Sequence, residues 1–297
     1  MGNIVVGTED MKKMAAEIRK GGIPHLLTVV RDETRFNALK ASLHNAAVRS
    51  ALVHILMAEG RRLLAAHKKS GKPPSEIGKL SSKIGTMLAD PELRTRLRKL
   101  METEGGRKVV KEVASTTEGD FLVLGYLFNA PGGPLLVGRM LLSAAGRETA
   151  FAILDGACSA KPDPYFLPKL PPFKVTADGK RLREQLSTDH GANELRASLI
   201  TYGGKERLLN VFVNKQTEVR SVLRDILATD AGVNRVYRVM DSEHGREFLE
   251  RVGEEGLGKT IAGDDLWLTA GGRKLLRKLL ATGPGREAVL ALVTGLY

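Results

Sequence analysis

Glycine recurs at nearly constant spacing in two parts of this chain. The steps between glycines are thirteen, fourteen and thirteen in the first series, and thirteen, thirteen, fourteen and thirteen in the second. The two series are Gly106, Gly119, Gly133 and Gly146, and Gly232, Gly245, Gly258, Gly272 and Gly285. Most of these glycines precede an amphipathic run with apolar residues at helical spacing, such as GRKVVKEVAS at 106 and GREFLERVGE at 245. Each run predicts a helix of two to three turns.

One long helix cannot accommodate this pattern. A helix advances 100° per residue, so a thirteen-residue step rotates the apolar stripe by roughly 220° and turns successive stripes in opposite directions. Each interior glycine would also cost about 1 kcal/mol relative to alanine. We therefore predict short helices that end at the glycines, with each glycine in the left-handed C′ conformation.

The two glycine series share one register. The residue numbers of Gly106 and Gly245 differ by 139. The same difference separates four further pairs: Gly119 and Gly258, Gly133 and Gly272, Gly146 and Gly285, and Gly156 and Gly295. The fourteen-residue step falls at the same place in both series. The sequence thus predicts an all-α fold, an α-solenoid-like array of short helices with two duplicated lobes.

Composition suggests four regions along the chain. We predict a basic helical region at 1–72, a repeat lobe at 80–160, a proline-rich linker at 161–190 and a second lobe at 191–297. The linker prediction rests on five of the twelve prolines, which lie between residues 161 and 179. The segment at 70–79 is predicted to be a loop because it is rich in Pro, Gly and Ser.

Three steps of thirteen, thirteen and fourteen make a forty-residue unit of three short helices. GGIPHLLTVV at 21 and GGPLLVGRML at 132 are similar to the glycine-led packing helix of an armadillo unit, and NAAVRSALVHIL at 45 resembles the helix that follows it. The chain therefore resembles the armadillo/HEAT class of α-helical repeat proteins. It departs from that class in its very short helices, and it lacks the regularly placed Asn and Trp ladder of peptide-binding armadillo proteins.

The net charge of +12 is concentrated near the N-terminus, since residues 1–100 contain 19 Lys and Arg against 9 Asp and Glu. Such a basic region attracts acidic or phosphate-bearing partners, although a solvated basic face would have the same composition. Two clusters supply candidate partner-binding or anion-binding cations: Arg61, Arg62, Lys68, Lys69, Arg94, Arg96, Arg98 and Lys99.

A further set of cations directly follows glycines of the two series: Arg107, Arg147, Arg246, Arg273 and Arg286. A cation in the first turn of a helix opposes the helix dipole. Each Arg could offset this by reaching the carbonyls that end the preceding helix. Alternatively, the guanidinium groups could form a ladder for phosphates or carboxylates.

Signals for catalysis are weak. GEEGLGKT at 253–260 matches the P-loop pattern, but a charged, helix-patterned segment precedes it, and Gly258 belongs to the glycine series. The six histidines show no paired spacing, and no nucleophile motif is present, so we predict no enzyme activity, no cofactor and no metal.

The sequence therefore favours a non-enzymatic helical scaffold or adaptor that binds an acidic protein partner. The alternative is a nonspecific nucleic-acid-binding protein that uses the basic N-terminal region, and a P-loop nucleotide binder is a remote third. No apolar run is long enough to predict a membrane span. The single cysteine, Cys158, excludes an internal disulfide and is typical of the cytoplasm.

Overall fold

The computed structural model describes residues 7–70, 83–128, 130–160 and 169–294, together with Leu167, and its regular structure there is entirely helical. The first nine α-helices are α1 (Thr8–Arg31), α2 (Glu33–Ser42), α3 (Ala46–Ser70), α4 (Lys83–Ala89), α5 (Pro91–Met101), α6 (Glu104–Ala114), α7 (Thr117–Val123), α8 (Gly133–Leu141) and α9 (Ala144–Ser159). The remaining α-helices are α10 (Ala177–Ser187), α11 (Asp189–Ser198), α12 (Tyr202–Asn214), α13 (Gln216–Leu227), α14 (Asp230–Met240), α15 (Glu243–Glu254), α16 (Leu257–Thr260), α17 (Ala270–Ala281) and α18 (Gly283–Thr294). The first π-helical segment (Leu124–Phe128) follows α7, and the second (Ile261–Trp267) follows α16. The predicted all-α array of short helices is confirmed.

The chain divides into two compact units, Met1–Lys161 and Pro162–Tyr297. The helices of the predicted N-terminal region belong to the same unit as residues 83–160. The range predicted as linker contains α10, and the predicted loop at 70–79 lies outside the described residues apart from Ser70, the last residue of α3. The four-part division of the chain stays a prediction.

Successive helices are joined by sharp turns, which we call corners, and at most of them a Ser or Thr side chain caps the start of the new helix. Its hydroxyl caps the new helix by accepting a hydrogen bond from the backbone N–H of the glycine three residues later, at 2.9–3.2 Å. In the described residues these capping pairs are Thr103–Gly106, Thr116–Gly119, Ser143–Gly146, Thr176–Gly179, Thr188–Gly191, Thr201–Gly204, Thr229–Gly232, Ser242–Gly245, Thr269–Gly272 and Thr282–Gly285. Such a cap satisfies one of the N–H groups that a helix start leaves open. The corner signature is therefore [ST]-x-x-G.

The predicted left-handed conformation of these glycines is wrong. In the described part of the chain only Gly22, Gly132 and Gly256 have positive φ. The capped glycines instead lie at the third position of the new helix, in helical backbone. These positions are glycine because a side chain would clash with the preceding helix. A Cβ on Gly106, for example, would lie 1.9 Å from the carbonyl oxygen of Leu100. The corner brings two backbones too close for a side chain.

Helices also pack against the third helix along the chain, as in α6 with α9, α10 with α13, α12 with α15 and α15 with α18. Polar pairs whose residue numbers differ by 41 to 44 follow this packing. They include Ser143–Glu102, Arg183–Asp225, Lys205–Glu247, Lys274–Asp230 and Thr282–Asp241. Three helices thus make one repeating turn, which agrees with the forty-residue period in the sequence.

The two units contain equivalent elements. Helices α6 and α15 begin at Glu104 and Glu243, and α9 and α18 begin at Ala144 and Gly283, so both pairs share the offset of the glycine series. A π-helical segment lies between these helices in each unit. Tyr126 in the first π-helical segment corresponds in this offset to Asp265 in the second. The correspondence supports the predicted duplication, which remains an inference from sequence.

Candidate partner-binding surface

The structure separates the thirteen predicted cations into internal and exposed groups. Six donate hydrogen bonds to backbone carbonyls at helix ends: Arg94, Arg96, Arg107, Arg147, Arg273 and Arg286. Two more form ion pairs with side chains of their own unit, Arg98 with Glu102 at 3.8 Å and Arg246 with Glu287. The remaining five are exposed, although Arg62 also forms an ion pair with Glu59: Arg61, Arg62, Lys68, Lys69 and Lys99.

Four arginines that directly follow glycines at helix corners, which we call the corner arginines, donate hydrogen bonds to the backbone of the preceding helix end: Arg107, Arg147, Arg273 and Arg286. Arg273 Nε donates to the carbonyl of Trp267 at 2.6 Å, and Arg107 Nη1 donates to that of Glu102 at 2.6 Å. Arg147 and Arg286 each reach a carbonyl six residues back at 3.4 Å. The carbonyls lie at the end of the preceding helix, where the partial charge is negative, and this offsets the unfavourable position of a cation in the new helix. These contacts are the structural alternative considered from the sequence, and they leave no continuous ladder of free guanidinium groups in the described residues.

The same geometry occurs where no glycine marks the corner. Arg94, four residues after the capping Asp90, donates to the carbonyl of Leu88 at 2.7 Å. Arg49, four residues after Asn45, donates to that of Leu43 at 3.0 Å. Sequence reasoning missed Arg49, although its spacing from a capping side chain is the signal that would have identified it.

The exposed cations of α3 form one surface, which we call the α3 basic face: Arg61, Arg62, Lys68 and Lys69. At 100° per residue these four side chains fall within an arc of roughly 120°, and Arg61 and Lys68 are about 10 Å apart along the axis. The exposed alanines Ala58 and Ala65 lie in the same arc. Small residues between cations leave room for the surface of a partner to approach.

A hydrogen-bond network that joins the buried Tyr126 to the exposed Arg62 through Glu59 holds one edge of this face in place. Glu59 accepts hydrogen bonds from Arg62 Nε and Nη2, both at 2.8 Å, and from the Tyr126 hydroxyl at 2.8 Å. Burial alone raises the pKa of Glu59, but these hydrogen bonds hold it below its usual value, so the carboxylate is charged at neutral pH. Because Glu59 is used internally, it does not neutralise Arg61 or Lys69, which form no ion pair with any described residue.

The second unit contains a buried acidic network at the equivalent place. Asp265 accepts from Arg220 Nε at 2.8 Å and from Arg224 Nε at 2.6 Å, and Asp264 accepts from Arg220 Nη2 at 3.1 Å. Both carboxyls belong to the second π-helical segment and are almost inaccessible to solvent. Burial raises the pKa of Asp264 to about 6, with a further contribution from Asp265, against the opposing effect of Arg220. Burial likewise raises the pKa of Asp265.

This network makes the stability of the second unit sensitive to pH. The folded pKa of Asp264 lies above its unfolded value, so its contribution to stability is complete below pH 3.8 and is lost as the pH rises through about 6. We expect Asp264→Asn to raise the unfolding temperature at pH 7.5 by several degrees and to raise it by less than half as much at pH 4.5. Thermal unfolding at both pH values measures the difference. Asp225→Asn, at an exposed carboxylate paired with Arg183, should give curves parallel to wild type, and parallel curves for Asp264→Asn would contradict the expectation.

The P-loop match has a helical context. Residues 253–254 end α15, Gly256 has a φ of 74°, and residues 257–260 form the short α16, which runs into the second π-helical segment. No strand precedes the motif in the described residues. The arrangement lacks the strand–loop–helix frame in which backbone amides of a P-loop surround phosphates.

Other site types find little support among the described residues. No group of three His, Cys, Asp or Glu side chains there is placed to share a metal ion. No single helix in the described ranges has the length and hydropathy to cross a membrane. The segments Thr117–Phe128 and Gly133–Leu141 have the required length and hydropathy only when they are combined, and the angle between them is 89°.

Comparison of the chain with models of known families, with curated proteins and with solved structures gives no match.

Proposed function

We propose that this chain is a non-enzymatic helical scaffold whose α3 basic face binds an acidic segment of a protein partner. The observation that supports this most is the division of the cations: the corner arginines are used internally, whereas Arg61 and Lys69 are exposed and have no ion pair within the described residues. Arg61 and Lys69 are about 12 Å apart along the helix axis, and this spacing fits carboxylates two turns apart on an acidic helix. The packing of each helix on the third one along supports an armadillo/HEAT-type array as the scaffold.

A nucleic-acid partner is the second candidate, because the net charge of +12 would attract phosphates. Single-strand binders combine cations with aromatic side chains on which bases stack. In the first unit Phe36, Phe121, Tyr126 and Phe128 are buried, and Phe151 in α9 is half-buried. Helix α3 itself contains no Phe, Tyr or Trp beside its basic face, and this favours an acidic protein.

Removal of two charges from this face tests the proposal. We expect Arg61→Gln with Lys69→Gln to weaken binding of a labelled, Glu-rich helical peptide about fivefold, since an exposed ion pair contributes up to about 1 kcal/mol and Gln preserves helix propensity. Fluorescence anisotropy at low and moderate salt measures the dissociation constant.

A matched control removes the same charge elsewhere. Lys180 and Arg181 are exposed on α10 of the second unit, and Lys180→Gln with Arg181→Gln should leave peptide affinity unchanged. Equal weakening by both pairs would show attraction to net charge alone. Tighter binding of a single-stranded DNA than of the peptide, with a steep dependence on salt, would favour the nucleic-acid alternative.

A further inference from the structure

The first unit contains an apolar cavity of about 150 Å³ inside its helical array. Helices α1 and α3 to α9 and the first π-helical segment all contribute to its wall, with Leu52, Leu88, Leu100, Val109 and Leu136 among the lining residues. The hydroxyl of Tyr126, another lining residue, already donates to Glu59. A water molecule needs two to four polar partners. The described wall offers none of the donors or acceptors that would hold one, so the cavity suits an apolar occupant.

The second unit contains the equivalent cavity, but it is largely filled. Twelve residues of its wall lie 139 positions after wall residues of the first cavity: Leu182, Leu195, Leu223, Val236, Val239, Met240, Gly245, Phe248, Leu249, Ile261, Leu266 and Leu275. Its volume is about 60 Å³. Phe248 stands where the first unit has Val109, and its ring packs edge-on against Phe212 with the ring centroids 5.1 Å apart. Leu249 similarly replaces Val110.

This comparison shows that the fold does not require the larger cavity. The equivalent helices of the second unit pack around a smaller cavity with larger side chains at two positions, and an unfilled apolar volume is destabilising. The first unit has the smaller residues at both positions. An apolar cavity of this volume, lined mostly by aliphatic side chains, offers water no hydrogen-bond partner and accepts a molecule the size of benzene.

We propose that the cavity of the first unit is a binding site for a small, uncharged apolar molecule of about six or seven carbon atoms. Val109 and Val110 set its size, and the equivalent Phe248 and Leu249 close the second cavity. The site is independent of the α3 basic face.

Titration of the full chain with toluene tests this proposal, with the methyl resonances of Leu and Val followed by NMR. We expect resonances of lining residues such as Leu100 and Val113 to shift saturably in wild type. Val109→Phe should weaken toluene binding at least tenfold, and Phe248→Val should add binding in the second unit. Circular dichroism checks that each variant is folded. If Val109→Phe does not fold, Val110→Leu takes its place as the smaller change.

A charged probe tests whether the cavity selects uncharged ligands. Sodium octanoate supplies an alkyl chain together with a carboxylate that the apolar wall cannot pair, and it should bind at least tenfold more weakly than toluene. Octanoate binding as tight as that of toluene would contradict an uncharged ligand. Absence of saturable shifts with toluene in wild type, or undiminished binding in folded Val109→Phe, would overturn the site.

Discussion

Replacement of Gly204 by alanine should lower the unfolding temperature of the second unit by about 8 °C, which corresponds to roughly 2–3 kcal/mol. Gly204 is the third residue of α12, and its N–H is capped by Thr201 at 3.1 Å. A Cβ at this position would lie 1.9 Å from the carbonyl oxygen of Ser198. The backbone of the corner would have to open, and the cap would be strained with it.

The neighbouring residue provides a matched control. Gly203 lies in the same helix, and a Cβ there would meet no atom within 4 Å. Gly203→Ala should therefore stabilise the unit by about 0.5–1 kcal/mol, because alanine loses less backbone freedom on folding. Thermal denaturation of the two single variants gives opposite signs if close approach explains the glycine. Two equal decreases would instead indicate a general intolerance of side chains at this helix start.

Arg273→Ala should destabilise the second unit by about 3 kcal/mol. Arg273 is only 1% exposed, its Nε donates to the carbonyl of Trp267, and its guanidinium carbon lies 5.7 Å from the centroid of the Trp267 ring. Alanine would leave this carbonyl without that donor, remove the stacking contact and open a void. Urea denaturation, with Trp267 fluorescence as the probe, measures the loss.

Arg286→Ala is the corresponding change at a corner whose arginine is partly accessible to solvent. Arg286 also lies four residues after its capping residue, but it is only half-buried, and its hydrogen bond to the carbonyl of Leu280 is 3.4 Å long. We expect a loss below about 1 kcal/mol, since water can replace a weak, accessible contact. A similar loss for both variants would mean that burial does not decide the strength of the corner arginines.

The sequence predicted the helices well, because their apolar stripes and glycine spacing are local properties. It did not predict the role of the glycines, since periodicity shows where a backbone bends but not how closely two backbones approach. The informative signal was the Ser or Thr three residues before each capped glycine, as in Thr229 before Gly232. The pairing of polar residues across one turn of the array became visible only when the packing of each helix on the third one along was known.

The candidate sites were harder to predict. The sequence made both Arg61 and Arg273 candidate anion-binding cations, and for Arg273 it left a structural alternative open; Arg61 is exposed, whereas Arg273 is buried at a corner. Exposure depends on the helix face that packs inward, which is a property of the assembled unit. The buried pair Asp264 and Asp265 gave no signal at all, because its arginine partners lie in α13, a full turn of the array earlier in the chain.

The helix corners also have a consequence for folding kinetics. Each cap spans three residues, each corner arginine reaches five or six residues back, and many of the longer contacts join a helix to the third one before it. Chains dominated by such short-range contacts have low contact order and fold quickly. In quasi-linear repeat proteins stability accumulates turn by turn, and folding can start at any well-formed turn. An array of this kind can gain or lose a whole turn of three helices without any new type of contact, so its length is free to vary during evolution.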